Sequence, residues 1–153
     1  MKKVIVFGVG NRLMIDDGIG IHVVEELSRR NQNPYIRYVV GETDIYYCLQ
    51  QIEEDSNVII IDAAYLGDKP GDISTIPFPE AFENSVQSIY AHESDFLNEI
   101  KLTGSNIKGL FIGIKPFDIN YGMDLSSILK QQFSNIVDEC KSVIGLFIEH
   151  INI

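Results

Sequence analysis

The sequence predicts an α/β protein of three layers, with a mostly parallel mixed sheet of about five strands between helices. Three observations lead there. Short, wholly apolar runs recur along the chain, as strands buried on both faces require. Amphipathic stretches with helical spacing separate most of these runs, the alternation that generates parallel pairing. One run, residues 73–76, has no helix before it and therefore enters the sheet antiparallel.

In chain order, the first run is Val4-Ile5-Val6-Phe7, ending at Gly8. It follows two lysines but is too short for the apolar core of a signal peptide, and no small-residue cleavage site follows, so it reads as a strand. Ile19, Val23, Val24 and Leu27 then share one side of a helix whose other side carries Glu25, Glu26, Arg29 and Arg30. Residues 36–40 form the second strand. Asp44 is placed as the N-cap of a second helix, because Ile45, Cys48, Leu49 and Ile52 follow at i, i+3, i+4 and i+7. Residues 58–61 form the third strand. The turn Gly67-Asp68-Lys69-Pro70-Gly71 then reverses the chain and is expected to lay 73–76 beside 58–61. Residues 79–90 read as an irregular connection interrupted by Pro79, Asn84 and Ser85. A third helix follows Ser94 with Phe96, Leu97 and Ile100, and residues 110–114 make the last strand. From Leu125 through Leu129, Phe133, Val137, Cys140, Ile144 and Ile148 a helical period runs to the end of the chain.

The 153 residues suffice for one domain and carry no internal repeat or linker. Twelve Lys and Arg against 22 Asp and Glu give a net charge of −10. That balance argues against phosphate-neutralising contact with nucleic acid and against docking on an anionic membrane. Two cysteines, Cys48 and Cys140, make neither a disulfide framework nor a zinc ribbon, and both read as core residues in a reducing compartment. No stretch reaches the length of a membrane span. The expectation is a cytoplasmic protein.

Ligands of open α/β sheets bind beyond the carboxyl ends of the strands. Three segments fall there: the loop from Gly8 to Gly20, Asp62-Ala63-Ala64, and Ala91-His92-Glu93. Gly8-x-Gly10 opens like a dinucleotide fingerprint, but Leu13 stands where that motif needs glycine, and Asp16 and Asp17 crowd the helix start where a pyrophosphate needs bare N–H groups. The glycines are better explained by a tight loop and a close backbone approach. Asp16 and Asp17 also read as carboxylates favoured by the helix dipole. Asp62, directly after a buried run, is either a cap or a functional group that needs a partner. His92 reads as a capping residue or a ligand, whereas His22 and His150 read as structural. Two carboxylates and one imidazole would form an O/O/N set with open positions, suited to Zn²⁺ or Ni²⁺ and more fitting for a transient metal than a permanent one.

Taken together, Gly8-Val9-Gly10-Asn11-x-Leu13-x-x-Asp16-Asp17-Gly18-x-Gly20, Ile60-Ile61-Asp62-Ala63, Pro70-Gly71, His92 before the Leu97 helix, and Gly113-Ile114-Lys115-Pro116 resemble the NiFe hydrogenase maturation endopeptidases. The likeness is greatest with the branch that processes hydrogenase-3-like and coenzyme-F420-type large subunits. It runs nearly end to end and implies one such domain over residues 1–153. It also implies an endopeptidase that removes the C-terminal extension of a large-subunit precursor once nickel has been inserted. The family's metal-contacting positions match Asp17, Asp62 and His92, which the resemblance makes both the metal ligands and the catalytic residues. Nickel would arrive with the substrate, and zinc or cadmium could stand in for it.

Two departures stand out. Where many members have Gly-Gly-Thr-x-Gly or Gly-Gly-Ser after the second strand, this chain has Gly41-Glu42-Thr43-Asp44, more acidic and one glycine poorer. Asp95 stands where a proline often follows the histidine. Two mechanisms stay open: a metal acting as Lewis acid or water activator, and a metal serving only as a recognition handle while Asp17 or Asp62 activates water in aspartic-type hydrolysis. A metal-sensing chaperone that binds the precursor without cutting it is the alternative function. The acid excess itself is expected at the crevice rim, since Asp16, Asp17, Glu42, Asp44, Asp62, Glu93 and Asp95 fall in or beside the three segments against one base, Arg12.

Overall fold

The computed structural model describes residues 2–83, 95–103 and 106–152. Its elements run β1 (Val4–Val9), α1 (Ile19–Arg30), β2 (Ile36–Glu42), α2 (Ile45–Gln51), β3 (Asn57–Ala63), β4 (Ile73–Pro77), α3 (Asp95–Leu102), β5 (Gly109–Ile114) and α4 (Ser127–Ile151). The strands form one sheet in the order β2-β1-β3-β5-β4. All neighbours are parallel except β4, which runs antiparallel to β5 with Ile73 opposite Ile114 and Pro77 opposite Leu110.

The apolar runs are continuous because both faces of the sheet are covered, and side chains alternate between two cores. Val4, Val6, Ile59, Ile61, Ile112 and Ile114 pack against Ile19, Val23 and Leu27 of α1 and Leu129, Val137 and Ile144 of α4. Ile5, Phe7, Val58, Ile60 and Phe111 face the other way, against Cys48 of α2 and Phe96, Leu97 and Ile100 of α3. The Phe7 and Phe96 rings meet edge to face, centroids 5.1 Å apart. Each helix therefore buries the side its spacing predicted. The caps follow suit: the Asp44 carboxylate accepts from the Tyr47 N–H, and the Ser126 hydroxyl from Leu129. Ser126, rather than Leu125, marks the boundary of α4.

One pairing differs from expectation. Residues 73–76 do not lie beside β3; β5 intervenes, and β4 takes the outer edge. The 64–72 connection is no tight hairpin. Its end is tied to the residue after β5, by Gly71 N–H to the Lys115 carbonyl (2.8 Å) and Lys115 N–H to the Asp72 carbonyl (3.0 Å). The turn itself is held by the Asp72 carboxylate, which accepts the N–H groups of Asp68 and Lys69, both at 2.9 Å. These bonds carry the chain past the slot beside β3, which parallel β5 fills.

Candidate active site

The chain path places the site before any side chain is considered. From β1 it crosses to β2 through α1 on one face, then returns to β3, on the far side of β1, through α2 on the opposite face. The connections leave adjacent β1 and β3 in opposite directions, which opens a crevice outside their carboxyl ends. The loop after β1 and the end of β3 both lie there, so Gly10, Asp17 and Asp62 are neighbours.

Gly10 is the hinge of this arrangement. Its φ of 135° lies in the region that L side chains avoid. A Cβ there would collide with the Asp17 carbonyl oxygen and stand 3.3 Å from the Asp62 Oδ1. Asp17 occupies a single 3₁₀ turn, Ile15–Gly18, ahead of α1 and is 5% exposed; its Oδ2 accepts the Asn11 N–H at 2.8 Å. Asp62 lies inside β3 rather than after it, opposite Gly113, and is 1% exposed. Its Oδ1 accepts the Ala63 N–H at 2.7 Å. Gly20 makes the close approach possible, because a Cβ on it would strike the Ile61 carbonyl oxygen just before Asp62. Asp17, through its backbone carbonyl, and Asp62, through its carboxylate, thus both abut Gly10, and the nearly buried carboxylate of each accepts a backbone N–H. Such a pair can bind a cation or accept a proton from water. His92, the third expected member, lies outside the described residues, as does Glu93. Among the described residues no group of three His, Cys, Asp or Glu side chains is placed to hold a metal.

Asp16 has a different task from its neighbour. It precedes α1 by too much to serve the helix dipole, and it is wholly buried. Its Oδ2 accepts from Phe117 N–H (3.0 Å) and Asp118 N–H (2.9 Å), and its Oδ1 from Ser126 N–H (2.8 Å). It ties the loop after β5 to the loop after β1. Nothing in the local sequence marks this role, because the partners are more than 100 residues away.

The expected acidic rim is also partly consumed. Arg12 directs its Nε to Glu42 at 2.9 Å and both terminal nitrogens to Glu25, at 2.9 and 3.1 Å. Hydrogen bonds to Glu25 and then Glu42 raise the guanidinium pKa above its ordinary value. Glu42 has φ 50°, a conformation that favours glycine, so a side chain stands where the backbone would prefer none. Its carbonyl accepts the Gly10 N–H at 3.0 Å. Asp16 and Asp44 are engaged elsewhere, as a tether and a helix cap. Of the rim acids whose side chains are described, that leaves Asp17 and Asp62 at the crevice.

The remaining candidates are structural. Cys48 and Cys140 are buried in the two cores, and burial pushes each thiol up to about 12, which disfavours a thiolate nucleophile. His22 sits on α1 beside Glu25, its Nδ1 3.9 Å from the carboxylate. Burial, and then the charge of Arg12, lower its pKa. His150 is in the last turn of α4.

A family model described as hydrogenase maturation protease matches residues 21–143. The hydrogenase expression/formation protein HupD of Bradyrhizobium diazoefficiens is 29% identical over 144 residues, covering 90% of this chain and 75% of its own. The hydrogenase 2 maturation protease of Escherichia coli is 29% identical over 120 residues, 74% of this chain and 73% of its own. Among solved structures, the NiFe hydrogenase maturation protease HybD of Thermococcus kodakarensis superposes with a TM-score of 0.75 at 26% identity, over 92% of this chain and 98% of its own. The match runs from within α1 to within α4, well over half of the chain and including the Asp62 strand, and with it the chain belongs to the hydrogenase maturation protease family.

Proposed function

We propose that this protein is the endopeptidase that removes the C-terminal extension of a NiFe hydrogenase large-subunit precursor after nickel insertion, and that Asp17, Asp62 and His92 read the nickel. Family membership supplies the peptidase and the class of substrate. The observation that supports the finer reading is that Asp17 and Asp62, both nearly buried, adjoin the same residue, Gly10, at the crevice between β1 and β3. Two carboxylates in a nearly water-free position attract a cation more strongly than surface acids do, because little solvent screens them. A nickel ion held by the precursor's thiolates is such a cation, and its delivery by the substrate makes cleavage conditional on metal insertion. Near the scissile bond, a carboxylate can also take the proton of the attacking water. The Gly41-Glu42-Thr43-Asp44 segment supports no separate non-cleaving function, since Glu42 holds Arg12 and Asp44 caps α2.

The test is to incubate nickel-loaded and nickel-free precursor with the protein and follow the precursor's mass. Only the loaded form is expected to lose its C-terminal peptide, and Asp62→Ala and His92→Ala are each expected to slow this by at least about 100-fold. Cleavage of both forms, or wild-type rates in both variants, removes the nickel-reading assignment. Binding of the precursor with no mass change would identify a metal-sensing chaperone instead.

A further inference from the structure

Ten large apolar or aromatic side chains are exposed among the described residues, and seven of them stand on segments that follow the carboxyl ends of β1, β2, β3 and β5. The crevice end of the molecule is thus also its stickiest end. Four of the seven, Leu13, Phe117, Tyr121 and Met123, are 54, 60, 90 and 64% exposed. They lie on two segments that the backbone zips together. Gly122 N–H donates to the Leu13 carbonyl and Ile15 N–H to the Gly122 carbonyl, both at 2.8 Å, while Asp16 N–H donates to the Asp118 carbonyl at 2.9 Å. Beneath them the buried Asp16 carboxylate gathers three further N–H groups from the same loop. These side chains therefore project from a pinned backbone, and ordering it costs nothing further when something binds.

A group of large exposed apolar side chains on a rigid support marks an interaction surface more often than a plain solvent face. Its position names the occupant. Asp17 follows Asp16 in the same turn, so whatever covers the platform borders the carboxylate pair. Its charge narrows the choice further. Asp118 stands on the platform loop, Asp124 beside it is paired with Lys130, Arg12 is neutralised by Glu25 and Glu42, and the whole chain carries −10. A second copy would bring the same negative field and be repelled, whereas an apolar patch bordered by Lys and Arg would be attracted.

We propose that the Leu13 and 117–123 platform is the docking surface for the folded body of the precursor, met through an apolar patch with a basic border, so that the tail is delivered to Asp17 and Asp62. This rests on the endopeptidase function above. The platform supplies affinity for the protein substrate and takes no part in bond cleavage.

The test compares wild type with Phe117→Ser/Tyr121→Ser/Met123→Ser and with the control Leu102→Ser/Leu146→Ser, whose exposed side chains lie at other sites. Processing of nickel-loaded precursor is measured across precursor concentration, and association by biolayer interferometry at low and high salt. The platform variant is expected to raise KM about tenfold, with kcat unchanged and a matching loss of affinity. The control is expected to behave as wild type, and added salt to weaken wild-type association. Tyr121→Lys alone provides a single-site version should the triple variant melt early. Unchanged KM and affinity in the platform variants, beside an active wild type, overturn the proposal. So does a wild-type dimer that the platform variant dissolves. A wild type that neither binds nor processes the precursor overturns the endopeptidase function and the platform with it, a result seen without any variant.

Discussion

The carboxylate of Asp16 accepts three backbone N–H groups from residues 117, 118 and 126, and each of those bonds has a charged acceptor in a buried setting. Such bonds are stronger than neutral ones, and their loss leaves donors unsatisfied. Asp16→Asn keeps the shape but replaces one acceptor oxygen by a donor, so it is expected to destabilise the fold by about 2–3 kcal/mol in urea unfolding. Asp17, one residue on, accepts from Asn11 and faces Gly10. Two adjacent identical side chains thus have different surroundings, Asp16 tying distant loops and Asp17 lying at the crevice. His22 carries a second residue-scale expectation. Its Nε2 is buried and has no hydrogen-bond partner among the described residues, and burial holds its pKa below the ordinary value. The folded state therefore binds this proton less readily than the unfolded chain. Its contribution is fully present above about pH 6.5 and is lost as the pH falls through the lowered folded value. Thermal unfolding between pH 7 and 5 is expected to show this decline in wild type and a flatter profile in His22→Leu.

At the scale of elements, the loop after β1 and the end of β2 are held as a unit. Gly10 N–H reaches the Glu42 carbonyl, and Arg12 grips both Glu42 and Glu25 of α1. Glu42 keeps its left-handed backbone at a cost of about 1–2 kcal/mol for an L residue. The link to Arg12 is half exposed and contributes at most about 1 kcal/mol. Glu42→Ala keeps the strain and loses the link, whereas Glu42→Gly loses both. The glycine variant is accordingly expected to be more stable than the alanine variant by about 1 kcal/mol, read from urea midpoints, and no less stable than wild type by more than about 0.5 kcal/mol. The elements were legible in the sequence to within a residue or two at most ends, because apolar runs and helical stripes are local signals. The neighbour of β4 was not. A turn after β3 fits either side of the next strand, and the choice was made by the backbone bonds between 71–72 and Lys115.

At the scale of the molecule, the acid excess, the crevice and the platform become one arrangement. The strand order β2-β1-β3-β5-β4 sets the crevice between β1 and β3, and the segments around it carry Asp17, Asp62 and most of the exposed apolar side chains among the described residues. No helix among the described residues is long and apolar enough to cross a membrane. The sequence by itself determined the α/β class, the five strands, the faces the helices bury, and the family to which its motifs point. Each of these depends on residues close together in the chain, where spacing alone dictates which side chains share a face. It also determined which carboxylates were candidates, since Asp62 ends an apolar run and Asp17 precedes a helix. Only the tertiary structure gave Asp16 its tether to residues 117, 118 and 126, paired β4 with β5, and spent Glu42 of the predicted acidic rim on a clamp with Arg12. The tether and the Arg12–Glu42 link join residues 110 and 30 positions apart. The closure of such contacts depends on the path of the whole chain, which no local pattern encodes.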